Sequence, residues 1–217
     1  MPPNTTRLVV ATGNPHKVDE IRAVLDPLGL ETTSLSDAGG PFPEPEENGT
    51  TFLENATIKA VAYAKATGLH CLADDSGLEI DALNGAPGVI SSHYDADGGP
   101  DNRPRAERDL ANTARVLREL EGVEAEKRTA RFVCQLVVSS PDGEITHSTT
   151  GTFEGRIGVP PRVPSGDHGF GYDPIFLVAP DFSATSAELP PDEKAARSHR
   201  GRALLNLVDL LRSSPIG

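Results

Sequence analysis

Short runs of mostly apolar residues alternate along the chain with longer stretches whose apolar positions recur every three or four residues. Arg7 to Ala11 (RLVVA) and Leu69 to Ala73 (LHCLA) are runs of the first kind and predict strands buried on both faces. Between them, Val18, Ile21, Val24, Leu25 and Leu28 fall on one helical face. Asn14 and Pro15 suit the start of that helix and Gly29 its end. Leu30 to Leu35 predicts a second strand. Phe52, Ala56, Ala60 and Tyr63 share the face of a second helix, with Thr51 and Glu54 at capping-box spacing and Gly68 as its stop.

Gly77 to Leu83 reads as a further strand or edge segment, after a turn at Asp74-Asp75-Ser76-Gly77, and Ser91 to Arg105 as a polar loop. A third helix is expected over roughly Arg105 to Leu120, presenting Leu110, Ala114, Leu117 and Leu120. Thr129 to Ser139 alternates Phe132, Cys134, Leu136 and Val138. The turn residues Pro141-Asp142-Gly143 then lead into Glu144 to Glu154, which predicts an antiparallel hairpin. Gly155 to Pro174 is a long Gly- and Pro-rich loop, of a length uncommon unless functional or disordered. A short strand at Ile175 to Val178, a short helix within Ala184 to Ala196 and a last helix carrying Leu204, Leu207, Val208 and Leu211 complete the chain. With no repeat and no linker, residues 1–217 read as one domain.

Composition narrows the partners. The 217 residues carry a formal net charge of −12, so most of the surface repels polyanions and non-specific nucleic-acid binding is not expected. Met1 to Thr6 has no apolar signal region, and no apolar run reaches membrane-spanning length, which makes the cytoplasm the expected location and a membrane partner unexpected. Cys71 and Cys134 lie in apolar runs without Cys-x-x-Cys spacing, as two buried thiols would.

The chemistry-bearing residues concentrate where elements meet. Thr12-Gly13-Asn14-Pro15-His16-Lys17 joins a strand to a helix, where free N–H groups and the helix dipole suit a phosphate, and where Asn-Pro equally serves plain capping. Asp74 and Asp75, expected at a strand's end, imply either a divalent cation between like charges or a solvated Asp-Asp-Ser-Gly turn. Glu44, Glu46 and Glu47 cluster in the preceding loop, and Lys59 is either a snorkelling lysine or a cation aimed at a ligand. In Ser165 to Pro174, Phe170 and Tyr172 stand among glycines and suit a wall on which a flat ring stacks. In so acidic a chain Lys17, Lys59, Lys194 and Arg200 stand out as a phosphate-holding set. Glu46 and Asp75 suit Mg2+, and Phe170, His199 and Arg200 suit a base. Carboxylates, cations and aromatics together fit one ligand, a metal-bound nucleoside triphosphate.

Ordered blocks then carry a resemblance over nearly the whole chain. They are Ala11 to Lys17 with Glu20; Glu46 to Phe52 with Glu54, Asn55, Ala56 and Lys59; and Ala73 to Leu78. Gly85 to Gly88, Gly169 to Phe176 and Ser198 to Gly201 complete the set. The sequence resembles the inosine triphosphate pyrophosphatases, which hydrolyse dITP and XTP. The resemblance implies a mixed α/β fold with a long bent sheet flanked by helices, and two lobes with an active-site cleft between them. It also implies Mg2+-dependent cleavage between the α and β phosphates, releasing nucleoside monophosphate and pyrophosphate, and a homodimer. It assigns Asp75 as general base and metal ligand and Glu46 as a second metal contact. Thr12, Gly13, Asn14, Pro15, His16, Lys17, Lys59, Ser76 and Lys194 would hold the triphosphate. Phe170, Gly171, Tyr172, Asp173, His199 and Arg200 would hold the base and sugar. A pyrophosphatase for modified pyrimidine nucleotides and a non-catalytic nucleotide-binding regulator are the competing readings.

Overall fold

A computed structural model of the chain describes residues 7–216. The expectation of no targeting segment at Met1 to Thr6 lies outside the described residues, as do the side chains of Pro15, His16, Leu28 and Pro191. Six strands form one mixed sheet in the order β2-β1-β3-β4-β5-β6. They are β1 (Arg7–Val10), β2 (Glu31–Ser34), β3 (His70–Ile80), β4 (Thr129–Ser139), β5 (Ile145–Ile157) and β6 (Phe176–Val178). The helices are α1 (Pro15–Leu25), α2 (Phe52–Thr67), α3 (Arg105–Glu119), α4 (Pro191–Arg197) and α5 (His199–Ser213). β1 pairs in parallel with both β2 and β3, and β5 pairs antiparallel with β6. By its contacts the chain divides into two compact units.

The first unit comprises the chain up to Asp75, then Cys134–Gly151 and Arg200–Gly217. Two apolar clusters build it. In one, Leu8, Val10, Leu72, Cys134 and Leu136 pack with Val18 and Ile21 of α1 and with Ala203, Leu204 and Leu207 of α5. In the other, Val9, Ala11, Cys71, Ala73 and Val137 pack with Ala56, Ala60 and Tyr63 of α2. Because side chains alternate along a strand, residues 72 and 74 share the α1 and α5 face, and residues 71, 73 and 75 the α2 face. The expected local devices are present. Thr51 and Glu54 form the reciprocal capping box of α2, and Gly68 closes it with φ 68°.

The second unit comprises Ser76–Val133 and Thr152–His199. Leu78, Ile80, Val116, Leu120, Phe132, Phe153, Tyr172 and Phe176 are among its core residues. Four sequence expectations are corrected here or across the strands. Asp74 to Gly77 is no turn: β3 runs unbroken for 11 residues, matching the 11 of neighbouring β4, so a turn at Ser76-Gly77 would strand half of β4 without its ladder. Gly77 to Leu83 is accordingly no separate strand; Asp81–Leu83 is a 3-10 turn. Ser91 to Arg105 is not wholly loop, since Gly88–Ala96 is 3-10 helical.

The buried face of α3 is also rotated from the expected one. Leu110 is 72% exposed, while Asn112, Thr113, Val116 and Leu120 are buried. Asn112 is inside because it is fully employed. Its Oδ1 accepts from Asp95 N at 2.8 Å, and its Nδ2 donates to the carbonyls of Ser91 and Ser92. Such backbone-satisfying amides are a legitimate core residue.

Candidate functional site

In the first unit the site is built on β3, where Asp74 and Asp75 point to opposite faces of the sheet. They therefore do not share a cation; each has its own. On one face Asp74 is fully enclosed. Lys17 of α1 donates to Asp74 Oδ1. Arg200, at the start of α5, donates through Nε to Asp74 Oδ2 at 2.7 Å and through Nη1 to Glu20 Oε2 at 2.7 Å. Cys134 Sγ lies 3.3 Å from the same Asp74 oxygen. Burial alone would raise the Asp74 pKa, but the guanidinium and the ammonium outweigh it and hold the carboxyl well below the usual carboxylate range. The same carboxylates, against the burial penalty, push Arg200 further up.

On the other face Lys59 of α2 bridges two carboxylates. Its Nζ donates to Asp75 Oδ1 at 2.7 Å and lies 2.8 Å from Glu47 Oε2. Burial would lower the pKa of Lys59, but Asp75 and Glu47 more than reverse that. Asp75 goes the other way: burial, with help from the Glu47 charge, raises it to about 6 despite Lys59. Its second oxygen, Oδ2, is buried and has no hydrogen-bond partner among the described residues. An ionised carboxylate oxygen left so is costly, and such an oxygen suits a ligand that brings positive charge.

The turn before α1 is organised locally. Asn14 N donates to Thr12 Oγ1 at 3.1 Å, and the Asn14 carbonyl accepts from Val18 N at 3.2 Å, as an N-cap does. Gly13 is exposed, and a Cβ there would meet nothing within 4 Å, so packing does not demand glycine. The loop before α2 is pinned by the helix's own first turn: Asn55 Oδ1 accepts from Gly49 N at 2.8 Å, and Glu54 Oε2 accepts from Thr50 N at 2.6 Å. Gly49 is required there, since a Cβ would sit 2.6 Å from Asn55 Oδ1 and Glu54 Cβ. Glu46 is exposed, one residue from the glutamate that reaches Lys59.

In the second unit the loop between β5 and β6 closes on Asp173, which is buried. Its carboxylate accepts from Phe170 N at 2.8 Å, Ser186 Oγ at 2.7 Å and Lys194 Nζ at 2.5 Å. Gly169 lies against this pair with φ 86°; a Cβ would come within 2.2 Å of both Asp173 Oδ2 and Lys194 Nζ. Gly171 N donates to Asp109 Oδ2 of α3 at 3.0 Å. Phe170, held on both sides by its backbone, stays 38% exposed. Tyr172 is instead a core residue whose hydroxyl donates to the Ser91 carbonyl at 2.7 Å, and burial pushes its pKa up. His199 stacks on Phe132 with centroids 5.2 Å apart. Ser76 is half-buried, one position along β3 from Asp75.

Within the first unit the structure thus brings Lys17 to Asp74, and Lys59 to Asp75. Within the second it brings Phe170, Gly171, Asp173 and Lys194 into one cluster. Arg200, expected among the base-reading donors, spends two donors on Asp74 and Glu20. The reading of the sequence passed over Asp109 and Asn55 as functional positions, and it noted Glu47 as part of the acidic loop cluster without giving it a partner. Asn55 had a legible signal, being a polar residue beside the apolar Phe52 and Ala56 on one helical face, whereas Asp109, among Arg105, Glu107 and Arg108, had none. Among the described residues no group of three or more His, Cys, Asp or Glu side chains converges on a point. The donors fit a cation that takes one or two carboxylates and draws its other ligands from phosphate and water, as Mg2+ does.

A model of the Ham1 family matches residues 8–210. A dITP/XTP pyrophosphatase of an Exiguobacterium species is 50% identical over 201 residues, 93% of this chain and 94% of that protein. One of Nitratidesulfovibrio vulgaris is 49% identical over 203 residues, 94% of each. The solved structure of a HAM1 protein from Coxiella burnetii superposes with a TM-score of 0.83 at 40% identity, covering 96% of this chain and 100% of that one. The pairing of Lys17 with Asp74 and of Lys59 with Asp75 is therefore set in a sequence and a fold shared end to end with these proteins: the chain belongs to the Ham1 family.

Proposed function

We propose that this protein is a nucleoside triphosphate pyrophosphatase that hydrolyses non-standard purine nucleotides, dITP, ITP and XTP, to the monophosphate and pyrophosphate. The observation that carries the reading is Asp75. It is buried against Lys59, with its pKa raised to about 6 and one oxygen that has no protein partner. A carboxylate tuned in this way is a competent proton acceptor near neutrality, where an ordinary aspartate is a feeble one. Near-identical length and about half of all positions shared with dITP/XTP pyrophosphatases support the substrate class.

Asp75 through Oδ2, with Glu46 from the loop before α2, would hold Mg2+. When bound, the cation neutralises phosphate charge and makes a coordinated water more acidic. Asp75 would orient the attacking water and accept its proton. Lys59 holds the Asp75 carboxylate in place and, with Lys17, Lys194 and the N-terminal end of α1, offsets the charge of the phosphates. Phe170 offers a stacking surface, and Ser76, Gly171, Tyr172, Asp173, His199 and Arg200 complete or position the groups that hold sugar and base. Donors facing a 6-oxo group would oppose the amino group of an adenine, and a buried mismatch of that kind rejects the wrong base strongly. The active species is a homodimer, and the protein works in the cytoplasm; no helix among the described residues is long and apolar enough to cross a membrane.

The test is pyrophosphate release from a panel of triphosphates with and without Mg2+. Hydrolysis of ITP, dITP and XTP far above ATP and modified pyrimidine nucleotides is expected. Equal hydrolysis of ATP overturns the base assignment, and binding without pyrophosphate release overturns the catalytic one.

A further inference from the structure

Arg105 is the first residue of α3, and its guanidinium carbon lies 4.5 Å from the centroid of the Phe170 ring. It is not placed there by helix chemistry. A helix N-terminus is the positive end of the dipole and disfavours a cation, and α3 has no side-chain cap to offset it. Nor is Arg105 committed to a strong ion pair: its nearest carboxylate is Asp109, one turn on, at 3.9 Å. Asp109 in turn accepts from the backbone N–H of Gly171, the residue after Phe170. One turn of α3 therefore touches this loop twice, once at the backbone and once at the ring.

The ring's own surroundings leave that contact unopposed. Phe170 is 38% exposed, and its N–H is fixed by Asp173. Apart from Arg105 the cation over the ring among the described residues is Lys194, with Nζ at 6.0 Å from the centroid and committed to Asp173. A guanidinium stacked on one face of an aromatic ring fixes the ring plane and draws its π density to that side. The opposite face then becomes a better platform for a second electron-rich ring.

We propose that Arg105 is a positioning residue that holds the Phe170 ring as a stacking platform for the nucleotide's purine base. This rests on the pyrophosphatase reading above and deepens it: Arg105 governs how well the base is bound while taking no part at the phosphates.

The experiment measures kcat and KM for ITP with the full-length protein and the Arg105→Gln, Arg105→Lys, Phe170→Leu and Arg105→Gln/Phe170→Leu variants. Arg105→Gln is expected to raise KM about threefold to fivefold, the range of an exposed cation–π contact, with kcat within twofold of wild type. Arg105→Lys should recover part of the loss. In the Phe170→Leu background Arg105→Gln should add nothing, because its effect passes through the ring. An unchanged KM in Arg105→Gln, or an equal rise with and without Phe170, overturns the inference and leaves the hydrolase reading standing. Absence of pyrophosphate release by the wild type from every nucleotide overturns both.

Discussion

Asp75 and Asp74 are adjacent in sequence and opposite in chemistry, and their substitutions should separate cleanly. Asp75→Asn keeps an acceptor for Lys59 and removes the proton acceptor. Its turnover of ITP is expected to fall by about 10²- to 10⁴-fold while nucleotide binding, followed by calorimetry, persists. The wild-type pH profile should report the same group. With its pKa raised to about 6, Asp75 is protonated below that pH, so kcat/KM at limiting Mg2+ should decline on the acid side of about pH 6. Saturating Mg2+ favours the ionised form and should move that limb to lower pH. Asp74→Ala is a stability variant instead. It leaves Arg200 buried without its enclosed partner, and truncating one member of such a pair costs about 3–5 kcal/mol in urea unfolding. The sign with pH follows from the depressed Asp74 pKa: its contribution is complete above the ordinary value of 3.8 and is lost as pH falls below it. At this scale Lys17 was legible as a cation at a strand-to-helix junction, Lys59 as a mid-helix lysine in an acidic chain, and Asp75 as one of an adjacent carboxylate pair. The separate fate of Asp74 was not, because Asp-Asp-Ser-Gly read as a turn hides the alternation that an extended strand imposes.

Among the elements, those defined by local chemistry were read correctly and those defined by distant partners were not. Thr51, Glu54 and Gly68 delimit α2 through bonds within a few residues, and these the sequence displays. The continuity of β3 through Ser76-Gly77 depends on β1 and β4, and the burial of Asn112 depends on the backbone of residues 91–95. Neither dependence leaves a mark in the local pattern. The loop between β5 and β6 is an intermediate case. Its glycines announced special backbone, and Gly169 shows why: a methyl group there would strike the Asp173–Lys194 pair. Gly169→Ala is therefore expected to lower stability by about 1–3 kcal/mol through its positive φ. It should also raise the KM for ITP, which thermal melts and steady-state kinetics would register separately.

For the molecule as a whole, a net charge of −12 and a cationic site are compatible because Lys17 and Lys59 are each paired with a buried carboxylate, Asp74 and Asp75. An incoming polyanion would meet Lys17 and Lys59 already fixed in place, so little side-chain ordering is left for binding to pay. The order of the six strands was not legible, since strand pairing over such separations is decided by the assembled core. The two cysteines, by contrast, were placed correctly, and their placement has a practical consequence. Cys71 and Cys134 are both fully enclosed; burial pushes the Cys71 thiol up to about 11 and holds the Cys134 thiol well above its ordinary range. Neither is a ready nucleophile, and they sit in the two apolar layers that face opposite sides of the same sheet. Ellman's reagent should titrate neither sulfur in the native protein and both in denaturant. The chain therefore carries its own pair of optical stopwatches: their colour development under mild urea would time how often each layer opens.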